Sequence, residues 1–252
     1  SNTQHKMNLK NYIHGQWVDG LGNEIPLYNA VNGELVAVSD TEGIDFESAL
    51  HYGRTVGYKN LSSMTFYDRG EMLKKVALYL LERKKKYYDL SYKTGATHAD
   101  SWVDIEGGFG TFFTYSGLAK RMLPNTPFWV DGDTQKISAN GTFLGTHILT
   151  PSEGVSVQIN AYNFPVWGMM EKLSTSLLAG VPSIVKPATP GSYLTNAVFQ
   201  DMIESGILPE AAIQLVCGEP GNILDYVQDG DSVLFTGSAS TGKKLTSLPP
   251  PS

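Results

Sequence analysis

The sequence predicts a doubly wound α/β protein, in which a helix-rich N-terminal part leads into a parallel sheet covered on both faces. Two observations carry this prediction. From residue 155 onward, short apolar runs of strand length alternate with amphipathic helical stretches, as expected of strands buried between crossover helices. Two of those helical stretches end on glycines, Gly180 and Gly206, the residue type that best tolerates the left-handed turn closing a helix.

Taken in order, Tyr12-Ile13-His14-Gly15-Gln16-Trp17-Val18-Asp19-Gly20 reads as a small hairpin with Gly and Asp at its turns. Helical periodicity covers 45–58. It returns over 67–92, where Met72, Leu73, Val76, Leu80 and Leu81 share a face, with Asp68 as N-cap and Gly95 as the stop. The cluster Arg83-Lys84-Lys85-Lys86 falls near the C-terminal end of that helix. Cations there meet the negative end of the helix dipole, so the cluster reads as a solvated face. A third helix is expected to carry Trp102, Ile105, Phe109, Phe112 and Phe113 into a core, with Gly107-Gly108 marking close packing or a kink. Residues 138–160 become strand-like around turn residues at 151–154. The alternation then runs strand 155–159, helix 166–179, strand 182–186, helix 192–205, strand 212–216, helix 221–228 and strand 232–235, with a further helix starting near Ser238. No internal repeat is present, and the Pro249-Pro250-Pro251 tail cannot continue a helix.

Composition narrows the function classes. The 252 residues carry 25 acidic and 19 basic side chains, a formal net charge of -6, which argues against non-specific nucleic-acid binding. No apolar run reaches bilayer-spanning length, and Ser1 to Leu9 has no hydrophobic signal core, so no membrane partner and a cytoplasmic location are expected. The single cysteine excludes an intramolecular disulfide framework.

Ligands of open α/β sheets bind outside the carboxyl ends of the strands. Those ends here are the loops that begin at Asn160, Lys186, Cys217 and Thr236. Gly237 and Ser238 precede a helix, where backbone N–H groups and the positive dipole end can receive a phosphate. Lys186 can reach ribose hydroxyls or a phosphate, and Asn163 offers an amide donor beside a rigid Phe-Pro turn. Singly, each has a bland reading as a strand end, a helix cap or a surface lysine. Together on one sheet edge they suit an anionic dinucleotide. The run Gly237 to Lys243 also matches most of a triphosphate-binding loop, G-x-x-x-x-G-K-[ST]. Lys244 stands where the Mg²⁺-holding hydroxyl belongs, which leaves an NTPase as a formal alternative beside a non-catalytic nucleotide-binding module. The five histidines show no ligand spacing, so no metal site is expected. Cys217 ends an apolar strand with no His nearby in sequence and reads as a core thiol.

At these residues the sequence resembles the aldehyde dehydrogenase superfamily. Phe235-Thr236-Gly237-Ser238 is similar to the family's F-T-G-S coenzyme motif, Asn163-Phe164-Pro165 to the end of its P-W-N-F-P segment, and Lys186-Pro187 to its ribose-binding turn. Thr94-Gly95-Ala96-Thr97, the stretch from Ala99 to Gly108, Gly206-Ile207-Leu208-Pro209-Glu210 and Cys217-Gly218 resemble the branch that acts in aerobic phenylacetate and aromatic-acid breakdown.

The resemblance implies a Rossmann-like coenzyme domain over 1–252, with 138–158 as the oligomerisation hairpin region and the catalytic domain lying beyond the chain. It implies oxidation of an aldehyde, in this branch a CoA-linked semialdehyde, by a cysteine nucleophile with a water-activating glutamate. Asn163 would be the oxyanion donor. Ile159, Tyr162, Lys186, Thr189, Gly218, Phe235, Gly237, Ser238 and Thr241 would hold the coenzyme. The full-length protein would be a homo-oligomer. Two departures stand out. Thr189 occupies a position where many NAD-preferring relatives carry Glu. A neutral Thr beside Lys186 removes a repulsion on the order of 1 kcal/mol or more toward a 2′-phosphate, so NADP is expected over NAD. Cys217 matches a non-catalytic position, and the nucleophile and base of relatives fall past residue 252, so this chain alone is expected to be inactive.

Overall fold

The computed structural model describes residues 6–128 and 153–235. The chain opens with β1 (Met7–Leu9), β2 (Asn11–Ile13), β3 (Gln16–Val18), β4 (Ile25–Tyr28) and β5 (Leu35–Ser39). Helices α1 (Phe46–Tyr52), α2 (Tyr58–Ser62), α3 (Phe66–Leu81), α4 (Lys84–Lys93) and α5 (His98–Met122) follow, with a π-helical turn Gly53–Gly57 joining α1 to α2. The second described segment holds β6 (Ser156–Ile159), α6 (Pro165–Leu178), β7 (Ser183–Lys186), α7 (Ser192–Glu204), β8 (Ile213–Leu215) and β9 (Ser232–Phe235).

Six strands form the main sheet in the order β3-β2-β8-β7-β6-β9, and β1-β5-β4 form a second, smaller sheet. Strands β8, β7, β6 and β9 run parallel. The α/β class and the parallel sheet are therefore as expected from the alternation. The N-terminal hairpin has a place the sequence did not announce: β2 pairs antiparallel with β8 at Tyr12 and Leu215, extending the sheet at its edge. Its turn residues His14 and Gly15 both have positive φ (55° and 72°), the combination of a type I′ turn that matches strand twist.

Both faces of the central strands are buried, and their apolar positions Val157, Ile184, Val185, Ile213 and Leu215 are interspersed with buried polar ones, Gln158 bonding Ser156, Ser176 and Ser183. All four residues of β7 are buried, and its neighbours Ile184 and Val185 enter two different cores. One core packs α3, α5, α6 and α7 through residues such as Leu73, Phe109, Leu173 and Val198. The other packs α1 through Phe46 and Leu50 against Val157 and Val233. Gly180 (φ 80°) and Gly206 (φ 68°) close α6 and α7 in the left-handed region, as their type predicts.

Several expectations are corrected. The single helix over 67–92 is two helices, broken at Glu82 and Arg83, where the Arg83 guanidinium lies 3.5 Å from the centre of the Tyr79 ring. The break lets α4 pack against α5 and α7 through buried Tyr87, which meets Phe109 edge-on and donates to Asp201. The N-cap of α3 is Thr65, not Asp68. Asp68 is the third helical residue and closes a reciprocal capping box with Thr65. The basic cluster consequently opens α4 instead of ending a longer helix. Two of its lysines bridge to other helices, Lys84 to Glu106 at 2.7 Å and Lys86 to buried Asp201 at 2.6 Å. Trp102, expected in the core, is 56% exposed and Phe113 is half-buried, because the buried stripe of α5 runs through Ile105, Phe109 and Phe112. The helix expected at 221–228 is only a 3₁₀ turn, Ile223–Tyr226. Of the region assigned to an oligomerisation hairpin, 156–158 belong to β6, and 138–152 lie outside the described residues.

Candidate functional site

The strand order reverses at β6. Successive crossovers carry the chain from β6 to β7 to β8 on one side, and β9 then pairs on the other side of β6. A reversal of this kind opens a crevice outside the carboxyl ends of the two flanking strands, the usual ligand position in open α/β sheets. Ile159 ends β6 in register with Lys186 on one neighbour and Phe235 on the other. Three of the predicted coenzyme residues thus stand abreast across adjacent strands, which spacing alone did not reveal.

Lys186 is buried at the end of a strand that is buried throughout. Its ammonium donates to the Pro187 carbonyl and to Thr189 Oγ1 at 3.2 Å. Burial pulls its pKa below the ordinary lysine range, and Glu219 pushes in the opposite direction. Thr189 therefore meets the lysine as a neutral acceptor, with no carboxylate at that position.

Beyond Ile159 the chain makes the turn that presents Asn163. Asn160 is buried, and its Oδ1 accepts from Lys172 Nζ at 2.5 Å. Its Nδ2 is buried without a hydrogen-bond partner among the described residues. Tyr162 donates its hydroxyl to the Thr94 carbonyl at 2.6 Å and ties the turn to the loop between α4 and α5. Asn163 is exposed. Phe164 follows in the left-handed region (φ 49°, ψ 57°), a conformation that is costly for an aromatic residue and needs support from its surroundings. Pro165 then starts α6, where its fixed φ suits a first helical position. A cavity of about 220 Å³ lies beside this turn, bounded by Thr94, Gly95, Asp104, Tyr162 and Asn163.

Two buried ionisable groups at this turn escaped the sequence reading. Asp104 of α5 is buried, and burial raises its carboxyl to about 6 although it accepts from the Trp167 and Val166 backbone N–H groups. Lys172 of α6 is buried too, and burial lowers it to about 7. The signal was present in both cases: each is a charged residue on an apolar helix face, Asp104 beside Ile105 and Lys172 among Met169, Met170 and Leu173.

Gly218 follows the end of β8 in the chain. Its φ of 153° and its close approach to Thr41, whose Cγ2 would lie 2.7 Å from an added Cβ, show that glycine is needed there for packing. Cys217 is fully buried, with its thiol pushed up by burial, in keeping with its reading as a core residue. Gly237, Ser238 and Thr241 lie outside the described residues. Among the described residues no group of three or more His, Cys, Asp or Glu side chains could hold a metal ion, and no helix is long and apolar enough to cross a membrane.

At the reversal, Ile159 and Phe235 are paired in register, with buried Lys186 in register on the other side of Ile159 and the buried, unpartnered Asn160 Nδ2 one residue further on, a set whose chemistry is compatible with an anionic ligand carrying flat rings.

This topology is that of a doubly wound α/β domain with a strand-order reversal. The chain belongs to the aldehyde dehydrogenase family, whose family model matches residues 17–249. It is 38% identical over 244 residues to a 3,4-dehydroadipyl-CoA semialdehyde dehydrogenase of Aromatoleum evansii, an alignment that covers 96% of this chain and 47% of that protein. Among solved structures it resembles the NADP-dependent glyceraldehyde-3-phosphate dehydrogenase of Bacillus halodurans complexed with NADP (TM-score 0.75, 21% identity, 95% of this chain and 50% of that one). It also resembles the NAD+ complex of an aldehyde dehydrogenase from Bacillus cereus (TM-score 0.70, 20% identity, 94% and 48%). The chain spans about half the length of the relatives it matches. Solved structures of this family thus include complexes with NAD and with NADP.

Proposed function

We propose that this chain is the coenzyme-binding part of an NADP-preferring enzyme that oxidises a CoA-linked semialdehyde to the acid in the aerobic breakdown of phenylacetate or a related aromatic acid. The observation that carries the coenzyme reading is the contact between Lys186 and Thr189: an ammonium at the strand reversal whose partner there is a neutral hydroxyl. The substrate reading draws support from the 38% identity to a CoA-semialdehyde dehydrogenase.

In this reading Lys186 holds the adenine ribose and its 2′-phosphate, with Thr189 keeping the ammonium aimed at the rim. Ile159, Tyr162 and Phe235 supply apolar surface, and Gly237, Ser238 and Thr241 supply donors for the pyrophosphate. Gly218 acts at one remove, by letting the end of β8 close against Thr41. Asn163 donates its amide N–H to the oxygen that gains charge as the aldehyde is attacked. When bound, the nicotinamide coenzyme supplies the hydride acceptor. The thiolate and the water-activating carboxylate come from residues other than Cys217, which is sealed in the core. A cytoplasmic location and assembly into a homo-oligomer accompany this reading, supported by the family resemblance.

The test is titration of NADP+ and NAD+ by calorimetry against the wild type and Lys186→Ala. The variant is expected to weaken NADP+ by about 10-fold or more, as the loss of one partly buried charge contact should, and NAD+ much less. Equal weakening of both overturns the preference for NADP. Unaltered binding of both overturns the site.

A further inference from the structure

We propose that Asp104 is a positioning residue that fixes the Asn163 turn from a different helix. The inference rests on the reading of Asn163 as the oxyanion donor, and deepens it.

A helix start leaves its first N–H groups without internal partners, and a side chain at the N-cap commonly accepts from them. Helix α6 has no such cap. Its N-cap residue is Phe164, an apolar side chain in the left-handed region, and no side-chain cap hydrogen bond is made. Pro165 has no N–H to offer. The Gly168 N–H is bonded within the helix, to the Phe164 carbonyl. The two remaining donors, on Val166 and Trp167, both go to the carboxylate of Asp104, at 3.4 and 2.9 Å. The cap that the sequence of α6 lacks is supplied by α5.

The approach is built into α5. One turn after Asp104 stands Gly108, where an added Cβ would lie 3.1 Å from both the N and the Cα of Trp167. The absence of a side chain at 108 lets α6 come close enough for the carboxylate at 104 to reach its first N–H groups. Asp104 is buried, so water does not compete for these bonds. Since Asn163 and strained Phe164 come immediately before the residues thus held, the carboxylate sets where the Asn163 amide stands and helps to offset the strain at Phe164. Lys186, Ile159 and Phe235 belong to the sheet and do not depend on this contact.

The test uses the full-length gene product and three variants: Asp104→Ala, Asp104→Asn and Asn163→Ala, with the double variant Asp104→Ala/Asn163→Ala. Displacing a reacting group by about 1 Å costs about 100-fold, so Asp104→Ala is expected to lower kcat by up to that factor while the Kd for NADP+ changes far less, since of the coenzyme residues only Tyr162 lies on this turn. Asp104→Asn keeps one acceptor oxygen and should recover part of the loss. The double variant should turn over no more slowly than Asn163→Ala, because Asp104 acts only through Asn163. Hydrogen exchange should show loss of protection at the Val166 and Trp167 amides in Asp104→Ala. If Asn163→Ala slows turnover while Asp104→Ala does not, or if the two losses multiply in the double variant, the positioning role is overturned. If Asn163→Ala leaves turnover unchanged, it is the oxyanion reading that falls.

Discussion

Arg54 and Asp231 form a part-buried, multiply bonded ion pair that ties the helical N-terminal part to the edge of the parallel sheet. Arg54 Nη2 stands 2.6 Å from Asp231 Oδ2, its Nε lies 3.1 Å from each carboxylate oxygen, and Nη2 also donates to the Tyr226 carbonyl. The same carboxylate accepts from the backbone N–H groups of Val155 and Gln228, so it joins the π-helical turn to the starts of both β6 and β9. Its side chain is fully buried.

Removing one member of such a pair strands the other charge in a poorly solvated place. Arg54→Met is expected to cost about 3 kcal/mol of folding stability, read as a lower urea midpoint. Arg54→Met/Asp231→Leu does not restore it in full, because the Val155 and Gln228 N–H groups would still lack their acceptor. A variant as stable as the wild type would show that the pair does not anchor the sheet edge.

Lys172 gives stability a definite dependence on pH. Its folded pKa, about 7, lies well below the ordinary lysine value because burial disfavours the charge. Between the two values the unfolded chain holds a proton that the folded chain has released, so stability rises as pH increases from about 7 toward the ordinary lysine pKa. Urea midpoints measured from pH 7 to 10 should climb in the wild type. The slope should flatten in Lys172→Met, which keeps the volume and removes the titration. A slope that is equal in both proteins assigns the effect to another group.

Cys217 should be inert in the folded protein. It is fully buried, burial pushes its thiol up, and its backbone N–H is held by Asn11 Oδ1 at 2.7 Å. Alkylation at neutral pH followed by mass mapping of the peptide that contains it should find it unmodified until denaturant is added. Cys217→Ala should leave coenzyme affinity unchanged. Rapid modification in the native state would reopen the case for this residue as the nucleophile.

Much of the C-terminal half was legible because short β-branched and apolar runs alternate there with longer amphipathic stretches, even though buried polar residues such as Gln158 and Gln214 interrupt the strands. Val155, Val157, Ile184, Val185 and Leu215 announce strands with little ambiguity, and Gly180 and Gly206 mark the helix ends between them. The N-terminal half was less legible. A break such as that at Glu82–Arg83 leaves the 3.6-residue periodicity almost intact on either side, and only the packing of Tyr87 against Phe109 and Asp201 requires it. Thr65 and Asp68 are both good capping residues. Which of them is the cap depends on where the first turn begins, one of the least sharply encoded features of a chain.

The sequence by itself determined the chemistry at the ends of the strands: which loops carry a lysine, an amide and glycines, and that Thr rather than Glu stands three residues after Lys186. Periodicity is a local property, and these residues lie at the boundaries it defines. Only the tertiary structure decided that Ile159, Lys186 and Phe235 share one level across three strands, that an N-terminal hairpin completes the sheet, and that a carboxylate on α5 caps α6. Those relationships join residues as much as 203 positions apart, as Tyr12 and Leu215 are. They arise from strand pairing and helix docking, which depend on how surfaces fit in space and leave no periodic trace along the chain.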